Sequence, residues 1–122
     1  MKNIIFTENA PSPIGPYSQA VLTNGTLYCS GQITSECLDG DASAQTDQVC
    51  KNISAVLKAA GMQLCDVVKT TCFLTDMNHF PDFNTVYGQF FTHKPARSTV
   101  AVKELPKGAL VEIEVIAVQG SE

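Results

Sequence analysis

The 122-residue sequence has little charge, and most of that charge is negative. Charged residues make up 16% of the chain, with eight Lys plus Arg against twelve Asp plus Glu. Nucleic-acid binding needs a clustered basic surface, so this balance disfavours it but leaves room for a local patch. Hydrophobic residues make up 44% of the chain, which is typical of a globular protein. We expect a single domain over residues 1–122 and no nucleic-acid partner.

The sequence also lacks a long apolar run. Its most apolar segment, ALVEIEVIAV, is about half as long as a bilayer requires and contains two glutamates. The apolar part of the start, MKNIIFTENAP, is too short for a signal peptide, and the segment lacks the arginines of an organelle leader. We therefore expect a cytoplasmic protein without a membrane partner.

Paired cysteines and zinc-finger spacings are absent as well. No C-x-x-C pair occurs among the five cysteines, which are Cys29, Cys37, Cys50, Cys65 and Cys72. Cys29 and Cys72 stand in strand-like apolar stretches, where free cysteine acts as a small hydrophobe. His79 and His93 border a predicted helix with no other histidine or cysteine nearby in sequence. These patterns favour free thiols in a reducing compartment over a metal or redox site.

A first helix is predicted from about Ala42 to Ala60. Its apolar residues form one stripe at helical spacing, made of Val49, Ile53, Val56, Leu57 and Ala60. Asp41 can cap the start of this helix, and Gly61 stops it.

A second helix is predicted from about Phe80 to Phe91, with Asn78 as its cap and Pro81 in its first turn. Aromatic residues form a stripe on this helix: Phe80, Phe83, Tyr87 and Phe90. Such a stripe is typical of core packing, and we assign it to the core.

Six segments have the composition of strands: Ile4 to Phe6, Gln19 to Leu22, Leu27 to Ser30, Asp66 to Leu74, Ser98 to Val102 and Leu110 to Val118. The Asn-Gly pair in TNGT joins the second and third as a hairpin. The order β-β-β-α-β-α-β-β predicts an α+β fold, in which both helices pack on one face of a mixed six-stranded sheet.

The last strand alternates between two kinds of residue. One face is apolar throughout, with Val111, Ile113, Val115 and Ala117, and we expect the helices to cover it. The other face carries Leu110, Glu112, Glu114 and Ile116. Nothing in this chain is left to cover that second face, so we predict a closed homo-oligomer in which another subunit does.

The stretch PARSTVAV places a positive charge in an otherwise strand-like segment. Alternation sets Val100 and Val102 on one face, and Arg97, Thr99 and Ala101 on the other. The guanidinium at the rim of the acidic face could form a salt bridge with Glu112 or Glu114 that fixes register. It could equally bind an anionic ligand through its planar fork. Spacing alone leaves both alternatives open.

Several motifs in order resemble the Rid (YjgF) family of reactive-intermediate deaminases. They are NAPSPIGPYSQA, CSGQ, VVKTTCFLTDMNHFPDFNTVYGQFF, PARSTVAV and LPKGALVEIEVIAV, and they run from about Glu8 to Val118. The resemblance implies a chorismate-mutase-like fold and a homotrimer with clefts between subunits. It also implies cofactor-free hydrolysis of enamines and imines, such as 2-aminoacrylate and 2-iminobutanoate, to 2-keto acids and ammonia.

The resemblance also implies roles for particular residues. Arg97 would clamp the substrate carboxylate, and Glu112 would place and polarise the attacking water as a general base. Tyr17 would line the pocket, while Ser30 and Gly31 would offer a hydroxyl and a backbone N–H. For Tyr17 and Ser30 the alternatives are core filling and a strand-end hydrogen bond.

Two further residues belong to this expected site. Asn84 would be a pocket amide, with an exposed helix position as its alternative. Thr99 stands where the family often has cysteine, and the backbone carbonyl there is expected to receive the substrate N–H. Glu114 is expected to be structural. The segment ITSECLDGDASAQ is shorter than the usual family loop between the third strand and the first helix.

Two other functions compete with imine hydrolysis. The same clefts could hold 2-keto acids without turnover, as a binding module. A ribonuclease or translation inhibitor is a third reading, also ascribed to the family. The acidic balance and the lack of a basic-aromatic stripe argue against that third reading.

Overall fold

The computed structural model of the chain describes residues 2–34 and 39–120. Its strands are β1 (Lys2–Ile5), β2 (Ala20–Thr23), β3 (Thr26–Cys29), β4 (Val67–Leu74), β5 (Ala96–Ala101) and β6 (Val111–Val118). Its helices are α1 (Ala42–Ala59) and α2 (Phe80–Phe90), with short 3₁₀ turns at Leu64–Asp66, Met77–His79 and Pro106–Gly108. The predicted order of strands and helices is therefore confirmed, with boundaries that differ by one or two residues.

The strands form one sheet in the order β1-β2-β3-β6-β4-β5. Only the β4–β5 pair is parallel among these neighbours, so the sheet is mixed, as predicted. The β2–β3 hairpin turns through Asn24 and Gly25, whose φ angles are 51° and 78°. Positive φ at both positions suits the right-handed twist of a two-residue hairpin, which is why Asn-Gly occurs there.

Helix α1 begins and packs as its sequence predicts. The Asp41 carboxylate accepts a hydrogen bond of 2.9 Å from the Ala44 amide at the helix start. Its apolar stripe is buried: Val49, Ile53, Val56, Leu57 and Ala60. Gly61, with a φ of 75°, follows the end of the helix in the left-handed conformation that only glycine adopts without strain.

The start of α2 differs from the prediction that Asn78 caps it. A 3₁₀ turn, Met77–His79, leads directly into the helix, so the first free amides belong to that turn. The Asp76 carboxylate caps the turn by accepting a 2.8 Å hydrogen bond from the Asn78 amide. His79 takes the cap position of α2 without a side-chain cap bond, and Pro81 lies in the first turn as expected.

The aromatic stripe of α2 is largely core, as predicted. Phe83 and Tyr87 are buried, and Phe80 and Phe90 are partly buried against the same cluster. The two helices contact each other and lie on the face of the sheet that carries Val111, Ile113, Val115 and Ala117. We call the opposite side of the sheet the open face.

The open face carries Glu112, Glu114 and Ile116 on β6, and it continues across the sheet through pairing. Toward β1, Ile116 on β6 pairs with Tyr28 on β3, and Tyr28 pairs with Val21 on β2. Toward the other edge, Glu112 on β6 pairs with Phe73 on β4, and Phe73 pairs with Val100 on β5. Tyr28 is 51% exposed and Val100 is 46% exposed. Large apolar side chains that are exposed on one sheet face are typical of a surface that another molecule covers.

The cysteines in the described part of the chain are free thiols. Cys29, Cys50 and Cys72 are buried and Cys65 is exposed, while Cys37 lies outside the described residues. Burial raises the pKa of Cys29 to about 12 and that of Cys72 to about 11, so both are neutral thiols. Among residues 2–34 and 39–120, no three His, Cys, Asp or Glu side chains cluster to hold a metal ion. No helix in these ranges has the length and apolarity to cross a membrane.

Candidate active site

Four of the predicted site residues line one cavity of about 470 Å³, which we call the Glu112 cavity. These four are Tyr17, Ser30, Gly31 and Glu112. The cavity lies between the loop that precedes β2, the residues that follow β3 and the start of β6. Lys107 and Glu114 also line it. Residues about a hundred positions apart in sequence therefore converge on one concave site, as the resemblance implies.

The loop before β2 is held in place by Gln19, a residue that the sequence analysis did not single out. Gln19 is buried, and its side-chain carbonyl accepts a 2.7 Å hydrogen bond from the Thr7 amide. Its side-chain amide donates to the backbone carbonyls of Thr7, at 3.1 Å, and Pro11, at 2.9 Å. Prolines in this loop lack N–H donors, so a buried polar side chain satisfies its backbone instead. The one sequence feature that could have identified Gln19 is its position as a lone glutamine at the start of an apolar strand.

Ser30 ties the end of β3 to the same loop. Its hydroxyl donates to the Ser18 carbonyl at 2.5 Å, and its amide donates to the Gln19 carbonyl at 2.9 Å. This is the strand-end bond considered as the alternative role for Ser30. The hydroxyl oxygen still has lone pairs that can accept a hydrogen bond. Tyr17, which is 50% exposed, lines the cavity beside these two hydrogen bonds of Ser30.

Gly31 lets the Glu112 carboxylate approach the backbone closely. A Cβ atom added at Gly31 would overlap the carboxylate of Glu112. Any other residue at this position would therefore displace the acid or the chain that follows β3. The glycine of the CSGQ motif is explained by this contact.

The Glu112 carboxyl group is electrostatically suited to take up a proton. Partial burial raises its pKa above the ordinary 4.5, and the charge of Glu114 raises it further. Glu112 forms no ion pair with any residue in the described ranges. A carboxylate with a raised pKa in a cleft has the properties of a general base.

Arg97, the only arginine in the chain, lies on the other side of the sheet. It pairs in parallel register with Thr70, whose buried side chain faces the helices. The guanidinium Nη1 donates to the Asn84 side-chain carbonyl at 2.8 Å. Arg97 therefore does not pair with Glu112 or Glu114 within one chain, because its register with β4 turns it toward α2.

Three aromatic rings of α2 surround the guanidinium. Its central carbon lies 4.8 Å from the ring centre of Tyr87, 5.5 Å from that of Phe80 and 6.0 Å from that of Phe83. Cation–π contacts of this kind hold a cation without neutralising its charge. Their helical spacing predicts core packing alone, since the contact of these rings with Arg97 depends on tertiary structure.

Tyr87 is itself fixed by a buried hydrogen bond. Its hydroxyl lies 2.8 Å from the Thr70 hydroxyl, and its ring stacks on Phe91 with 4.6 Å between centres. Burial raises the pKa of Tyr87, which keeps the hydroxyl protonated. The ring against Arg97 thus has a defined position.

Thr99, two residues after Arg97, faces the helices beside Cys72. Its hydroxyl is buried and has no hydrogen-bond partner among the described residues. The side chain lines neither the Glu112 cavity nor the cavity beside Arg97.

The predicted site residues other than Thr99 thus form two groups in one chain. We call Tyr17, Ser30, Gly31 and Glu112 the Glu112 half-site, and Arg97 with Asn84 the Arg97 half-site. The first opens on the open face, and the second lies on the helical face at the edge strand β5. The Arg97 guanidinium and the Glu112 carboxyl group, whose pKa is raised, therefore lie on opposite faces of one sheet.

A family model described as endoribonuclease L-PSP matches residues 7–119. With these motifs, this fold and the relatives below, the chain belongs to that family, the Rid (YjgF) family. The resemblance stated from the sequence is confirmed.

Relatives in this family carry several names. The chain is 53% identical to a RutC family protein of Pyrococcus horikoshii, over 96% of this chain and 98% of that protein. It is 44% identical to the human 2-iminobutanoate/2-iminopropanoate deaminase, over 98% of this chain and 92% of the relative. Some members of the family are therefore named as imine deaminases at this level of identity.

Solved structures match the fold over nearly the whole chain. A Rid family protein from Yersinia pestis superposes with a TM-score of 0.92 at 53% identity, covering 97% of this chain and 99% of the other. The structure of Escherichia coli TdcF with bound serine superposes with a TM-score of 0.91 at 41% identity, covering 97% and 99%. The α+β fold with a mixed six-stranded sheet and two helices is thus the fold of the family.

Proposed function

We propose that this protein hydrolyses reactive enamines and imines, such as 2-aminoacrylate, 2-iminobutanoate and 2-iminopropanoate, to 2-keto acids and ammonia. We further propose that it does so as a closed homo-oligomer, a trimer by resemblance to the family. In each cleft the Arg97 half-site of one subunit would meet the Glu112 half-site of its neighbour. The names of deaminase relatives at 44% to 49% identity support this activity.

One observation carries the proposal. Arg97 has no acidic partner and Glu112 has no basic partner among the described residues, and the two lie on opposite faces of one sheet. Neither half-site alone can both hold a carboxylate and activate water. The exposed apolar side chains of Tyr28 and Val100 on the open face support contact with another subunit. Such a contact would bring the Arg97 half-site of one subunit to the Glu112 half-site of the other.

In the proposed mechanism Arg97 forms two parallel hydrogen bonds to the substrate carboxylate and fixes its orientation. An enamine first takes a proton from the solvent at its terminal carbon and becomes an iminium ion. Glu112 removes a proton from water, whose oxygen bonds to the imine carbon as the C=N π electrons move to nitrogen. Glu112 then gives the proton to that nitrogen. The carbinolamine O–H proton then passes back to the Glu112 carboxylate as the O–H electrons form the C=O bond and the C–N bond breaks. Ammonia leaves, and Glu112 returns its proton to the solvent.

The remaining residues of the Glu112 half-site would support this reaction. The Ser30 oxygen can accept a hydrogen bond from the substrate or water, since its own proton is directed to Ser18. Tyr17 would form the wall that excludes bulk water. No step in this scheme draws on a metal ion or cofactor.

The substrates would come from pyridoxal-phosphate enzymes such as threonine and serine dehydratases, as the family resemblance implies. These imines are electrophilic and damage other enzymes, so faster hydrolysis limits metabolite damage. A cytoplasmic location is part of this proposal.

The direct test is a mixture of threonine, threonine dehydratase and this protein. We expect 2-ketobutyrate to be released faster than from the same mixture without it. A matched reaction with Glu112→Gln should proceed at the rate of the mixture that lacks the protein. Wild-type protein that gives no acceleration, at concentrations where it is folded and oligomeric, would refute the activity.

Two alternatives are separated by simple measurements. Calorimetric binding of 2-ketobutyrate without any acceleration of imine hydrolysis would identify a non-catalytic binding module. The matching family model is described as an endoribonuclease, so RNA cleavage is also worth measuring. Cleavage that survives rigorous purification and is lost in Arg97→Ala would favour the nuclease function.

A further inference from the structure

A second cavity lies beside Arg97, on the helical face of the sheet. Its volume is about 330 Å³, and it lies between the second half of α2 and the turn that leads into β5. It is lined by Tyr87, Gly88, Phe91, Thr92, Lys94, Pro95 and Arg97. Two of these residues are cations and none is acidic. A volume of this size suits a small metabolite.

The backbone of Lys94 is held in an uncommon conformation. Its φ is 56°, in the left-handed region that disfavours residues with a Cβ atom by about 1 kcal/mol. Its amide donates to the Phe91 carbonyl at 3.2 Å, and Phe91 is buried. The neighbouring His93 ring forms a 2.8 Å hydrogen bond with the Val67 carbonyl. The turn is thus anchored at two points, so the root of the Lys94 side chain has a fixed place at the cavity.

Neither cation is neutralised by a residue in the described part of the chain. Arg97 contacts an amide and three aromatic rings, and Lys94 forms no ion pair with any residue in the ranges 2–34 and 39–120. Two positive charges that share a cavity repel each other, and an anion with two charged groups removes that repulsion. The chain as a whole carries a net charge of −4, so this cavity differs in sign from the protein around it.

We propose that Lys94 is a specificity-determining residue that binds a second carboxylate, so that the preferred substrates are 2-imino acids with an acidic side chain. Arg97 binds the carboxylate next to the reacting carbon, and Lys94 binds the one at the far end. The corresponding products are 2-oxo dicarboxylates and ammonia. The inference rests on the proposed function, because it takes Arg97 as the clamp for the first carboxylate.

Calorimetry on the wild-type oligomer at low salt tests the proposal with two stable 2-oxo acids, which are the expected reaction products. We expect 2-oxoglutarate to bind about tenfold more tightly than 2-oxobutyrate, a difference of about 1.4 kcal/mol. In Lys94→Gln the ratio of the two dissociation constants should fall to about one. In Lys94→Glu it should reverse, because a like charge then faces the second carboxylate. Lys58→Gln, at an exposed position on α1, is the matched charge control and should keep the wild-type ratio.

Each outcome of this experiment decides the point. Equal affinity of the wild-type protein for the two ligands overturns the role of Lys94, while bound 2-oxobutyrate leaves the proposed function intact. If neither ligand binds, the role of Lys94 is overturned, whereas the threonine dehydratase assay decides the proposed function separately. Competition by inorganic phosphate as strong as that by 2-oxoglutarate would mean that the cavity accepts any small dianion, which also overturns the proposal. Steady-state kcat/KM for imines generated from glutamate and from 2-aminobutyrate should show the same ratio.

Discussion

Arg97 and Glu112 lie on opposite faces of one sheet, on strands that flank β4. Arg97 is in register with Thr70 and turns toward α2, whereas Glu112 is in register with Phe73 and turns toward the open face. A single chain thus separates the Arg97 guanidinium from the Glu112 carboxyl group. The arrangement requires a second copy if both groups are to act on one small molecule.

Replacement of Arg97 should separate the effect of charge from that of geometry. Arg97→Ala should lower kcat/KM for imine hydrolysis by at least about a hundredfold, which corresponds to about 2.7 kcal/mol of transition-state stabilisation. Arg97→Lys keeps the charge but loses the planar fork, so we expect a partial loss of about tenfold. Thermal melting should be little changed, since the guanidinium is exposed. Wild-type kinetics in Arg97→Ala would contradict the clamp.

Gly31→Ala should damage the reaction more than the fold. The new Cβ atom would overlap the Glu112 carboxylate, so the acid must move away from its position in the cavity. We expect kcat to fall by at least about tenfold, since displacement of a catalytic group by an ångström is costly. Circular dichroism and melting should show a folded protein. A folded Gly31→Ala protein with normal kcat would mean that the position of Glu112 does not matter.

The pH dependence should report the raised pKa of Glu112. A general base acts in its ionised form, so kcat/KM should fall as the pH drops through the pKa of Glu112, which lies above 4.5. Glu114→Gln removes the negative charge that adds to the raised pKa of Glu112, so the acid limb of the pH profile should move to lower pH. Part of the pKa shift should remain, because the burial of Glu112 is unchanged. An acid limb that does not move would show that Glu114 does not influence the base.

The same shift predicts how Glu112 affects stability. A folded-state pKa above the unfolded value means that the native protein holds this proton more tightly. The contribution of Glu112 to stability is therefore greatest below the unfolded pKa and is lost as the pH rises through the folded pKa. Glu112→Gln should abolish the reaction without lowering the melting temperature at neutral pH. A large drop in melting temperature would indicate a structural role instead.

Much of the fold follows from short-range patterns in the sequence. The stripe of α1, the Asp41 cap and the alternation of β6 are fixed by residues a few positions apart, so periodicity predicts them. The position of Arg97 depends on the parallel pairing of β4 with β5, which no local pattern contains. The prediction that Asn78 caps α2 was wrong because the 3₁₀ turn before the helix has no distinct pattern in the sequence. The same limit applies to the site, whose members come from distant segments.

The buried hydrogen bond beneath Arg97 predicts a characteristic stability pattern. Thr70→Val leaves the Tyr87 hydroxyl unpaired and should cost about 1–3 kcal/mol of unfolding free energy, and Tyr87→Phe should have a similar effect on Thr70. The double variant should cost less than the sum, because neither position 70 nor position 87 then keeps a buried hydroxyl without its partner. Melting curves at one fixed protein concentration measure these values. Strict additivity would show that the two hydroxyls do not interact.

The most direct measurement is subunit complementation between Arg97→Ala and Glu112→Gln, each inactive alone. The two proteins are mixed in equal amounts, unfolded together and refolded, so that subunits assemble at random. If each cleft takes Arg97 from one subunit and Glu112 from its neighbour, about one quarter of the clefts regain both groups, and the mixture should recover about a quarter of wild-type activity. A mixture that stays as inactive as the separate variants, with mixed oligomers confirmed by mass spectrometry, would contradict a site shared between subunits.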